Sequence, residues 1–537
     1  MNRLRKIMTA TLLGVSLISG TSFAATSGIS TEGIYASSDS SQLLTKVDVF
    51  AGTGDFGDKN DSTQNSLFRS PAGILVLPDG AVLVSDSKSH QIRKIANGKV
   101  TTYAGVFVEK GKQGFPIGGF LDGKSDQTFF NLPSGIAADA KGNIYVADAD
   151  NHAIRKIEPS GIVTTIAGGG VQGNVDGKGN AAKFNHPMDV VVTSEGILYV
   201  ADTLNNTIRK VTPDGVVTTI TAISTRTVTL VSGKILPLGD FKDGNLKQAK
   251  FNEPSGLALD SKGNLYVSDS GNQRIRYIDL SSGTVNSLTG NDQSAVYEKG
   301  ALYATGDYAD GLAEQALFNY PVGIALSLEG GLIIADSLNH SVRYLHNGKV
   351  STLAGEKEQF PGELNGIERI AKLNVPTDVA VMADGTILVA DSFNNKIRTI
   401  NLYNLPSELP KDDNIKVVLD NKQIIFDSKP EITAGRTMVP MRKIAEALGY
   451  KVTYIDIGQI IQMSKGNLTI ELAIGNKEIK RMVKGNPDIV HSMDVMPYIN
   501  SGGNTLLPVR FFAEEVGLDV QWNSANRTAI LRYPYSN

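Results

Sequence analysis

The sequence contains no cysteine among its 537 residues. Disulfide bonds, thiolate metal sites, a lipid-modified N-terminal cysteine and a cysteine nucleophile are therefore excluded. Long hydrophobic runs are missing too: the apolar run over residues 8–18 is too short to span a bilayer, and no later run reaches the required length. No Ser/His/Asp motif, phosphate-binding loop or metalloprotease helix is present. Stability must come from apolar burial and sheet hydrogen bonding, and no catalytic constellation is visible.

The N-terminus has the layout of a secretory signal peptide. Three cationic residues among the first six precede the apolar run, and small residues follow it up to Ala24. We predict a signal peptide over residues 1–24 and a flexible leader over residues 25–43. Cleavage takes the formal net charge from −3 to −6 because it removes those three cations, which argues against nucleic acid as a partner. The mature protein is predicted to be secreted or associated with the cell surface.

One hairpin motif recurs six times and organises the chain. Its second copy is Tyr145-Val-Ala-Asp-Ala-Asp-Asn-His-Ala-Ile-Arg-Lys-Ile157, and every copy places an arginine seven residues after an aspartate. A four-residue turn sets Asp148 opposite Ala153, so Arg155 becomes its diagonal neighbour on one face. We interpret this repeated pair as a structural clasp, because a catalytic carboxylate should be singular. The six clasp pairs are Asp86 with Arg93, Asp148 with Arg155, Asp202 with Arg209, Asp269 with Arg276, Asp336 with Arg343 and Asp391 with Arg398.

Each repeat predicts four short strands, here named a to d in chain order. In the second repeat they cover residues 135–138, 144–147, 153–157 and 162–167. Six such units over residues 44–402 predict an all-β six-bladed propeller with strand a at the central channel. The sixth repeat lacks strand d, whereas Val47-Asp-Val-Phe-Ala-Gly52 is a strand d with no blade before it. The N-terminal strand is therefore predicted to close the last blade, which removes an open sheet edge.

Two stretches of the repeat carry a family resemblance. Phe130-Asn-Leu-Pro-Ser-Gly together with Val146-Ala-Asp-Ala-Asp-Asn-His-Ala-Ile-Arg-Lys resembles the NHL-repeat family, in the form common in exported bacterial proteins. The resemblance implies a platform that binds protein, glycan or nucleic acid. Related six-bladed propellers include lactonases and lyases, so the resemblance specifies the fold and leaves the activity open.

A small α+β domain over residues 414–533 is predicted after a linker over residues 403–413. It contains a duplication, in which Thr437–Gly449 corresponds to Thr505–Gly517 position by position. In each copy a proline precedes one apolar helical face and a glycine stops the helix. Alternating apolar runs, among them Gln423-Ile-Ile-Phe426, are predicted to supply strands.

This tail resembles the N-terminal stalk domain of copper amine oxidases, which recurs as an accessory module in cell-surface proteins of Gram-positive bacteria. Copper ligation and the redox cofactor belong to a separate catalytic domain of that enzyme, and the sequence contains no counterpart of it. The resemblance therefore implies no catalytic or copper-binding residue here. His491, the tail's one histidine, cannot form a metal site by itself.

Three of the six histidines occupy one repeated turn. They are His90, His152 and His340, and the other repeats have Asn206, Gln273 and Asn395 at that position. Turn chemistry explains this exchange. Turns on separate blades are not expected to converge within zinc-ligand distances of about 2.0–2.1 Å, so we assign no metal to them.

Repeats three and six depart from their siblings near the start of strand a. Four repeats have glycine there, whereas these two have Asp189 and Asp378. Blades three and six lie opposite each other in a ring of six, so the two carboxylates are predicted to face each other across a channel mouth. One hypothesis is that they hold a hydrated cation or a cationic ligand group. The alternative is that they are solvated or cap the backbone. No other cofactor is predicted.

The long loops from strand d to the next strand a form the remaining candidate surface. Loops over 106–129, 222–250 and 291–317 carry aromatic residues, and propeller geometry gathers them on one face, where recognition commonly resides. The candidate ligand-binding aromatics are Phe107, Phe120, Tyr303 and Tyr308. The alternative is that they pack down and plug the channel. The middle loop also predicts a hairpin over 227–236.

An Asp-Gly pair or a near variant recurs in these loops, eight residues before a Phe or Leu. Its first residues are Asp122, Asp176, Asp243, Asp310 and, in degenerate form, Asn365. The regularity predicts a structural turn, and the pair lacks the dense ligand run of a calcium loop.

These observations predict an exported, non-catalytic binding or scaffold protein. Its loop face would engage a protein, peptide or glycan of the cell envelope, and its tail would associate with that envelope. One alternative is a metal-dependent propeller enzyme of the lactonase or lyase type. Another is a purely structural adhesion module at the cell surface.

Overall fold

The computed structural model describes residues 43–535 apart from 113, 230–234, 291–296, 299 and 356–359. The predicted signal peptide and the leader up to residue 42 lie outside the described residues. Six repeated sheets run from Thr45 to Leu402, and an α+β tail runs from Lys416 to Arg532. None of the helices in these ranges is long and apolar enough to cross a membrane.

Each sheet is an antiparallel blade ordered a-b-c-d, with a short fifth strand, e, beside strand d. Blade one consists of Pro71–Val76, Val82–Asp86, Gln91–Ala96, Lys99–Ala104 and Asp61–Ser62. Blade two consists of Pro133–Ala138, Ile144–Asp148, Ala153–Ile157, Ile162–Ala167 and Gly123–Lys124. Blade three consists of Pro187–Val192, Leu198–Asp202, Thr207–Val211, Val216–Thr219 and Gly177–Lys178.

The other three blades repeat this order. Blade four consists of Pro254–Leu259, Leu265–Asp269, Arg274–Asp279, Thr284–Ser287 and Gly244–Asn245. Blade five consists of Pro321–Leu326, Leu332–Asp336, Ser341–His346, Lys349–Ala354 and Gly311–Leu312. Blade six consists of Pro376–Val381, Ile387–Asp391, Lys396–Leu402, Thr45–Ala51 and Gly366–Ile367.

The N-terminal strand closes the ring. Thr45–Ala51 serves as strand d of blade six and pairs antiparallel with strand c, Lys396–Leu402. Backbone hydrogen bonds therefore join the first propeller strand to the last. The six-bladed propeller closed by its N-terminal strand is confirmed.

Strand e is an addition to the four predicted strands. In blade two it is Gly123–Lys124, which follows Asp122 directly and pairs with strand d of the same blade. The loop that precedes a blade thus folds over that blade's outer edge. Two residues are too few for alternation of side chains to reveal a strand in sequence.

The propeller core lies between the blades. Six clusters of buried side chains each join one sheet to the next. Between blades two and three, for example, Ala147 and Ile154 pack with Val190 and Val200. Both faces of every sheet are therefore covered, and the ring is held by apolar burial.

Two small hairpins extend from the d-to-a loops. The predicted one pairs Thr227–Thr229 with Ile235–Pro237, and the turn between them lies outside the described residues. A second hairpin pairs Glu109–Lys110 with Pro116–Ile117.

The tail contains three sheets and two seven-residue helices. The helices are α1, Met441–Ala447, and α2, Val509–Glu515. The first sheet is ordered Lys422–Gln423, Lys416–Leu419, Thr528–Arg532, Asp519–Asn523, and the second Glu431–Thr433, Arg436–Pro440, Thr505–Pro508, Tyr498–Ile499. The third is ordered Lys451–Ile455, Ile460–Lys465, Leu468–Ala473, Glu478–Val483, Ile489–Ser492.

The local signals of the duplication act largely as predicted. Pro440 and Pro508 stand immediately before the helices, and Gly449 and Gly517 follow them with left-handed φ angles of 78° and 81°. The strand predicted over 423–426 is wrong beyond Gln423: only Lys422 and Gln423 pair with the neighbouring strand, and one further hydrogen bond joins the backbone N–H of Ile424 to the carbonyl of Val417.

The tail packs on blade six at the strand ends opposite the b-to-c turns. Arg532 donates to both carboxylate oxygens of Glu368, at 2.8 and 2.9 Å, and to Asp519 Oδ2 at 2.6 Å. Glu368 also accepts the backbone N–H of Thr45 at 2.8 Å. The last tail strand is thereby tied to the first residue of the strand that closes the ring.

Candidate functional site on the loop face

The loop face is the end of the propeller that carries the b-to-c turns and the long d-to-a loops. The clasp pairs lie just beneath it. Arg155 Nη1 donates to Asp148 Oδ2 at 2.6 Å, and the six equivalent distances range from 2.5 to 2.8 Å. Asp148 also accepts the backbone N–H of Asn131 and the side-chain amide of Asn151. Both charged side chains are fully buried, so each clasp is an internal structural element.

Every clasp has a second side-chain acceptor; five of the six were assigned to a turn from the sequence, and Asn60 was missed. Arg155 Nη2 donates to Asp122 Oδ1 at 2.8 Å, and Asp122 in turn accepts the backbone N–H and hydroxyl of Thr165. The available signal was the constant interval of 33 residues between this position and the clasp arginine. The six acceptors are Asn60, Asp122, Asp176, Asp243, Asp310 and Asn365.

Two of the predicted ligand-binding aromatics pack on clasp arginines. The Phe120 ring lies 5.0 Å from the Arg155 guanidinium, and the Tyr308 ring lies 4.4 Å from that of Arg343. The Tyr308 hydroxyl also shares a hydrogen bond with Thr352. These cation–π contacts cover the clasps, and they account for both rings as structural groups.

Tyr303 belongs to a cluster with Tyr320 and Glu253. The two rings meet edge to face with centroids 5.5 Å apart, and both hydroxyls donate to the Glu253 carboxylate, at 3.2 and 2.5 Å. Burial, followed by the charge of Glu253, raises the pKa of Tyr303 to about 12. Both hydroxyls therefore stay protonated and hold the carboxylate in place. Phe107 lies apart from this cluster, 5.9 Å from Lys110 Nζ.

The turn that holds three histidines joins neighbouring blades. Its last residue is left-handed in all six copies, and its side chain accepts the backbone N–H of the residue before the next blade's opening proline. His152 Nδ1 accepts from His186 at 3.1 Å, while Asn206 Oδ1 accepts from Glu253 at 2.8 Å. Within the described part of the chain no group of three or more acidic or histidine side chains is placed to hold a metal ion.

Replacing His90, His152 and His340 together by Asn is expected to flatten the pH dependence of stability. Burial lowers the pKa of each of the three below the ordinary 6.5, and protonation of Nδ1 abolishes the acceptor. Their stabilising contribution is therefore complete above about pH 6.5 and declines as the pH falls through the lowered values. Chemical denaturation of the mature protein at pH 8, 6.5 and 5 measures the effect.

Asn206 and Asn395 already make the same hydrogen bond without titrating, so the triple variant should fold. The reverse variant, Asn206→His with Asn395→His, should steepen the loss of stability at low pH. An identical pH slope in wild type and triple variant would contradict the role of the histidines.

The structure places Asp189 and Asp378 in strand a of blades three and six. Asp189 Oδ2 accepts the backbone N–H of Leu257 in blade four, and Asp378 Oδ2 accepts that of Ile74 in blade one, both at 2.7 Å. Each carboxylate thus caps the strand of the next blade. A Cβ at Gly135 would lie 2.0 Å from Asp189 Oδ1, so the glycine of the preceding blade makes the room that the aspartate needs.

The two channel carboxylates interact electrostatically. Burial raises the pKa of Asp189 to about 7, and burial together with the charge of Asp189 raises the pKa of Asp378 well above its ordinary value. The two carboxyl groups therefore titrate as a coupled pair. Binding of a cation between them stays a prediction.

A ring of six positions on the loop face was missed by sequence reasoning. We call it the rim; it consists of the middle residue of each b-to-c 3₁₀ turn. Its members in blade order are Lys88, Asp150, Leu204, Gly271, Leu338 and Phe393. Leu204, Leu338 and Phe393 are 43, 47 and 60% exposed. Blades one and two thus present charge at the rim, whereas blades three, five and six present apolar side chains. Comparing the six turns position by position would have found it.

Comparison with known proteins places both parts of the chain. Residues 68–95, 130–157 and 251–276 match the family model of the NHL repeat. Residues 418–531 match the model of the copper amine oxidase N-terminal domain. The NHL ranges lie in blades one, two and four, and the other range covers most of the tail.

Curated relatives match mainly over the propeller. NHL repeat-containing protein 2 of Gallus gallus is 30% identical over 74% of this chain and 56% of that protein. The Homo sapiens protein of the same name is 28% identical over 69% and 52%. Protein SUPPRESSOR OF QUENCHING 1, chloroplastic, of Arabidopsis thaliana is 30% identical over 66% and 32%. The chain spans about one third to just over half the length of these relatives.

Solved structures share the propeller at low similarity. A protein of unknown function from Bacteroides thetaiotaomicron aligns over 67% of this chain and 76% of its own, with 20% identity and a TM-score of 0.47. A streptogramin B lyase aligns over 68% and 100%, with 14% identity and a TM-score of 0.39. Similarity at this level says nothing about ligand or activity. The chain carries NHL repeats in its six-bladed propeller and a copper amine oxidase N-terminal domain at its C-terminal end.

Proposed function

We propose that this protein is an exported, non-catalytic binding protein whose loop face holds a protein or peptide partner of the cell envelope. The tail keeps the propeller at that envelope. Its joint to blade six lies at the end opposite the loop face, so the tail leaves the binding face open. The commitment of Asp189 and Asp378 to backbone N–H groups supports a scaffold role for the channel.

The unequal distribution of exposed apolar side chains carries the proposal. Leu204, Leu338 and Phe393 project from the rim, and exposed Phe56 and Phe115 meet edge to face at 5.8 Å on the adjoining loops. The a-to-b turns at the other end of the propeller each carry a charged residue followed by glycine. Exposed apolar groups gathered on one face mark a surface that associates with another molecule.

A rim variant tests this proposal. Leu204→Ser, Leu338→Ser and Phe393→Ser combined should reduce capture of an envelope protein by the mature chain at least about tenfold, because buried apolar anchors dominate such interfaces. The readout is quantitative pull-down from envelope extract, followed by titration with the captured protein.

The matched control is Leu328→Ser, which removes an exposed leucine from an a-to-b turn at the opposite end. It should capture the partner as wild type does. Equal capture by wild type and the rim variant would refute binding through the loop face. All variants keep the tail, because its Arg532 binds Glu368, which holds the first residue of the strand that closes the ring.

A further inference from the structure

The tail contains two grooves whose lining residues all belong to the tail itself. The larger, of about 610 Å³, lies between the first turn of α2 and strand Arg436–Pro440. The smaller, of about 310 Å³, lies between the first turn of α1 and strand Thr505–Pro508. Each groove is thus lined by the helix of one half of the duplication and a strand of the other half. We call them groove one and groove two.

The grooves are copies of each other. Trp522 in groove one follows Tyr454 in groove two by 68 residues, and the same interval relates the other equivalent lining residues. Pairs of equivalent lining residues are Arg510 with Arg442, Val520 with Val452, Trp522 with Tyr454, Gly435 with Gly503 and Thr437 with Thr505. The duplication has therefore preserved the composition of a surface and not only that of a core.

Packing explains only part of this likeness. Val452 and Val520 pack partly on the tail core, as any sheet-to-helix contact requires. Arg442 and Arg510 are exposed, and neither forms an ion pair within the described residues. Tyr454 is 47% exposed, although it is equivalent to Trp522, which packs partly on the core. Each groove lining therefore combines an exposed arginine with an aromatic ring, which is exposed in Tyr454 and partly buried in Trp522, and packing does not account for the two arginines.

The charges and rings indicate the ligand. In groove one the Arg436 cation is paired with Asp494, and in groove two Lys443 is paired with Asp427 at 3.6 Å. Arg510 and Arg442 therefore leave each groove with a net positive charge. A guanidinium recognises a carboxylate with two parallel hydrogen bonds, and an aromatic ring stacks on the apolar face of a sugar. Carboxylated sugars satisfy both groups at once.

We propose that the two grooves each bind a short segment of a uronic-acid polysaccharide. A sugar ring stacks on Trp522 or Tyr454, and a carboxylate pairs with Arg510 or Arg442. Two sites on one module raise the avidity for a polymer that repeats the same unit. The inference rests on the proposed attachment of the tail to the envelope and supplies its ligand class.

Calorimetry of the mature chain with trigalacturonic acid tests the proposal. Wild type should bind two trimers, more weakly at high salt, and Arg442→Gln should weaken one site about tenfold through loss of a charge-assisted pair. Arg442→Gln with Arg510→Gln should weaken both sites. Both arginines are exposed, so the arginine variants should fold. Trp522→Ala is avoided because Trp522 packs partly on the tail core.

Two controls define the outcome. Lys451→Gln removes an exposed charge of the same sheet outside the grooves and should leave both sites intact. Neutral maltotriose should bind at least about tenfold more weakly than trigalacturonic acid. No binding by wild type, or two unaltered sites in the double variant, would overturn the proposal. Capture of an envelope protein through the rim is measured separately. Failure of the grooves to bind trigalacturonic acid would therefore not count against binding through the loop face.

Discussion

Arg155→Ala is expected to lower the free energy of unfolding by about 3–5 kcal/mol, because it leaves a buried carboxylate without its cation. Asp148 is fully buried and keeps only the hydrogen bonds from Asn131 and Asn151. Asp122 loses the same partner, and the carbonyl of Phe129 loses its donor. The carbonyl of Leu121 loses one of its three donors and keeps Thr128 and Phe129. The effect should therefore exceed that of any exposed ion pair in the propeller.

Lys156→Ala is the matched control for this prediction. Lys156 is the next residue of the same strand and pairs with Glu158 at the surface, where an ion pair contributes about 0.2–1 kcal/mol. Urea unfolding followed by far-UV circular dichroism compares the variants, since strands of the propeller dominate that signal. A loss for Arg155→Ala no larger than that for Lys156→Ala would show that the clasp is dispensable.

The clasp shows how far the sequence could predict the site. An antiparallel hairpin with a four-residue turn fixes which residues are diagonal neighbours, so Asp148 and Arg155 could be paired from spacing alone. Asp122 could not be added in the same way. It lies 33 residues before the arginine, and it reaches the clasp because the d-to-a loop folds back over the outer edge as strand e. The Asp-Gly signal predicts a turn, but it does not show that the turn places the Asp122 carboxylate against the clasp arginine.

The channel aspartates illustrate a second limit. Counting repeats placed Asp189 and Asp378 in opposite blades, and their electrostatic coupling agrees with that placement. Their hydrogen bonds go to Leu257 and Ile74, each in the following blade. Those contacts depend on the lateral packing of neighbouring strands, which no repeat alone contains. The sequence offered backbone capping as one alternative, and the structure was required to show that each aspartate caps the strand of the following blade.

The loop aromatics were predicted as a class by loop length, but their individual roles depend on what lies beneath each loop. Phe120 and Tyr308 cover clasp arginines, whereas Tyr303 joins Glu253. The rim residues Leu204 and Phe393 are exposed because their turn is only three residues long and already anchored by its backbone. The short turns therefore leave their apolar side chains exposed, whereas the long loops partly bury their own aromatic side chains.

Arg532→Ala is expected to uncouple the tail from the propeller and to cost about 3–5 kcal/mol, because it leaves two buried carboxylates, Glu368 and Asp519, without their shared cation. Glu368 also holds the N–H of Thr45, the first residue of the strand that closes the ring. Ring closure should weaken together with the joint. The tail's Trp522 is the single tryptophan of the chain, so its fluorescence reports the tail while circular dichroism reports mainly the propeller.

In wild type the fluorescence and dichroism transitions in urea should coincide, since the buried joint couples the two domains. In Arg532→Ala they should separate, and both should move to lower urea. Arg369→Ala is the matched control, because Arg369 pairs with the same Asp519 at 2.7 Å but is 51% exposed, and an exposed pair contributes about 0.2–1 kcal/mol. Its transitions should remain coincident. Coincident transitions in Arg532→Ala would instead mean that apolar contacts such as that of Leu44 with Ile530 suffice to hold the tail against blade six.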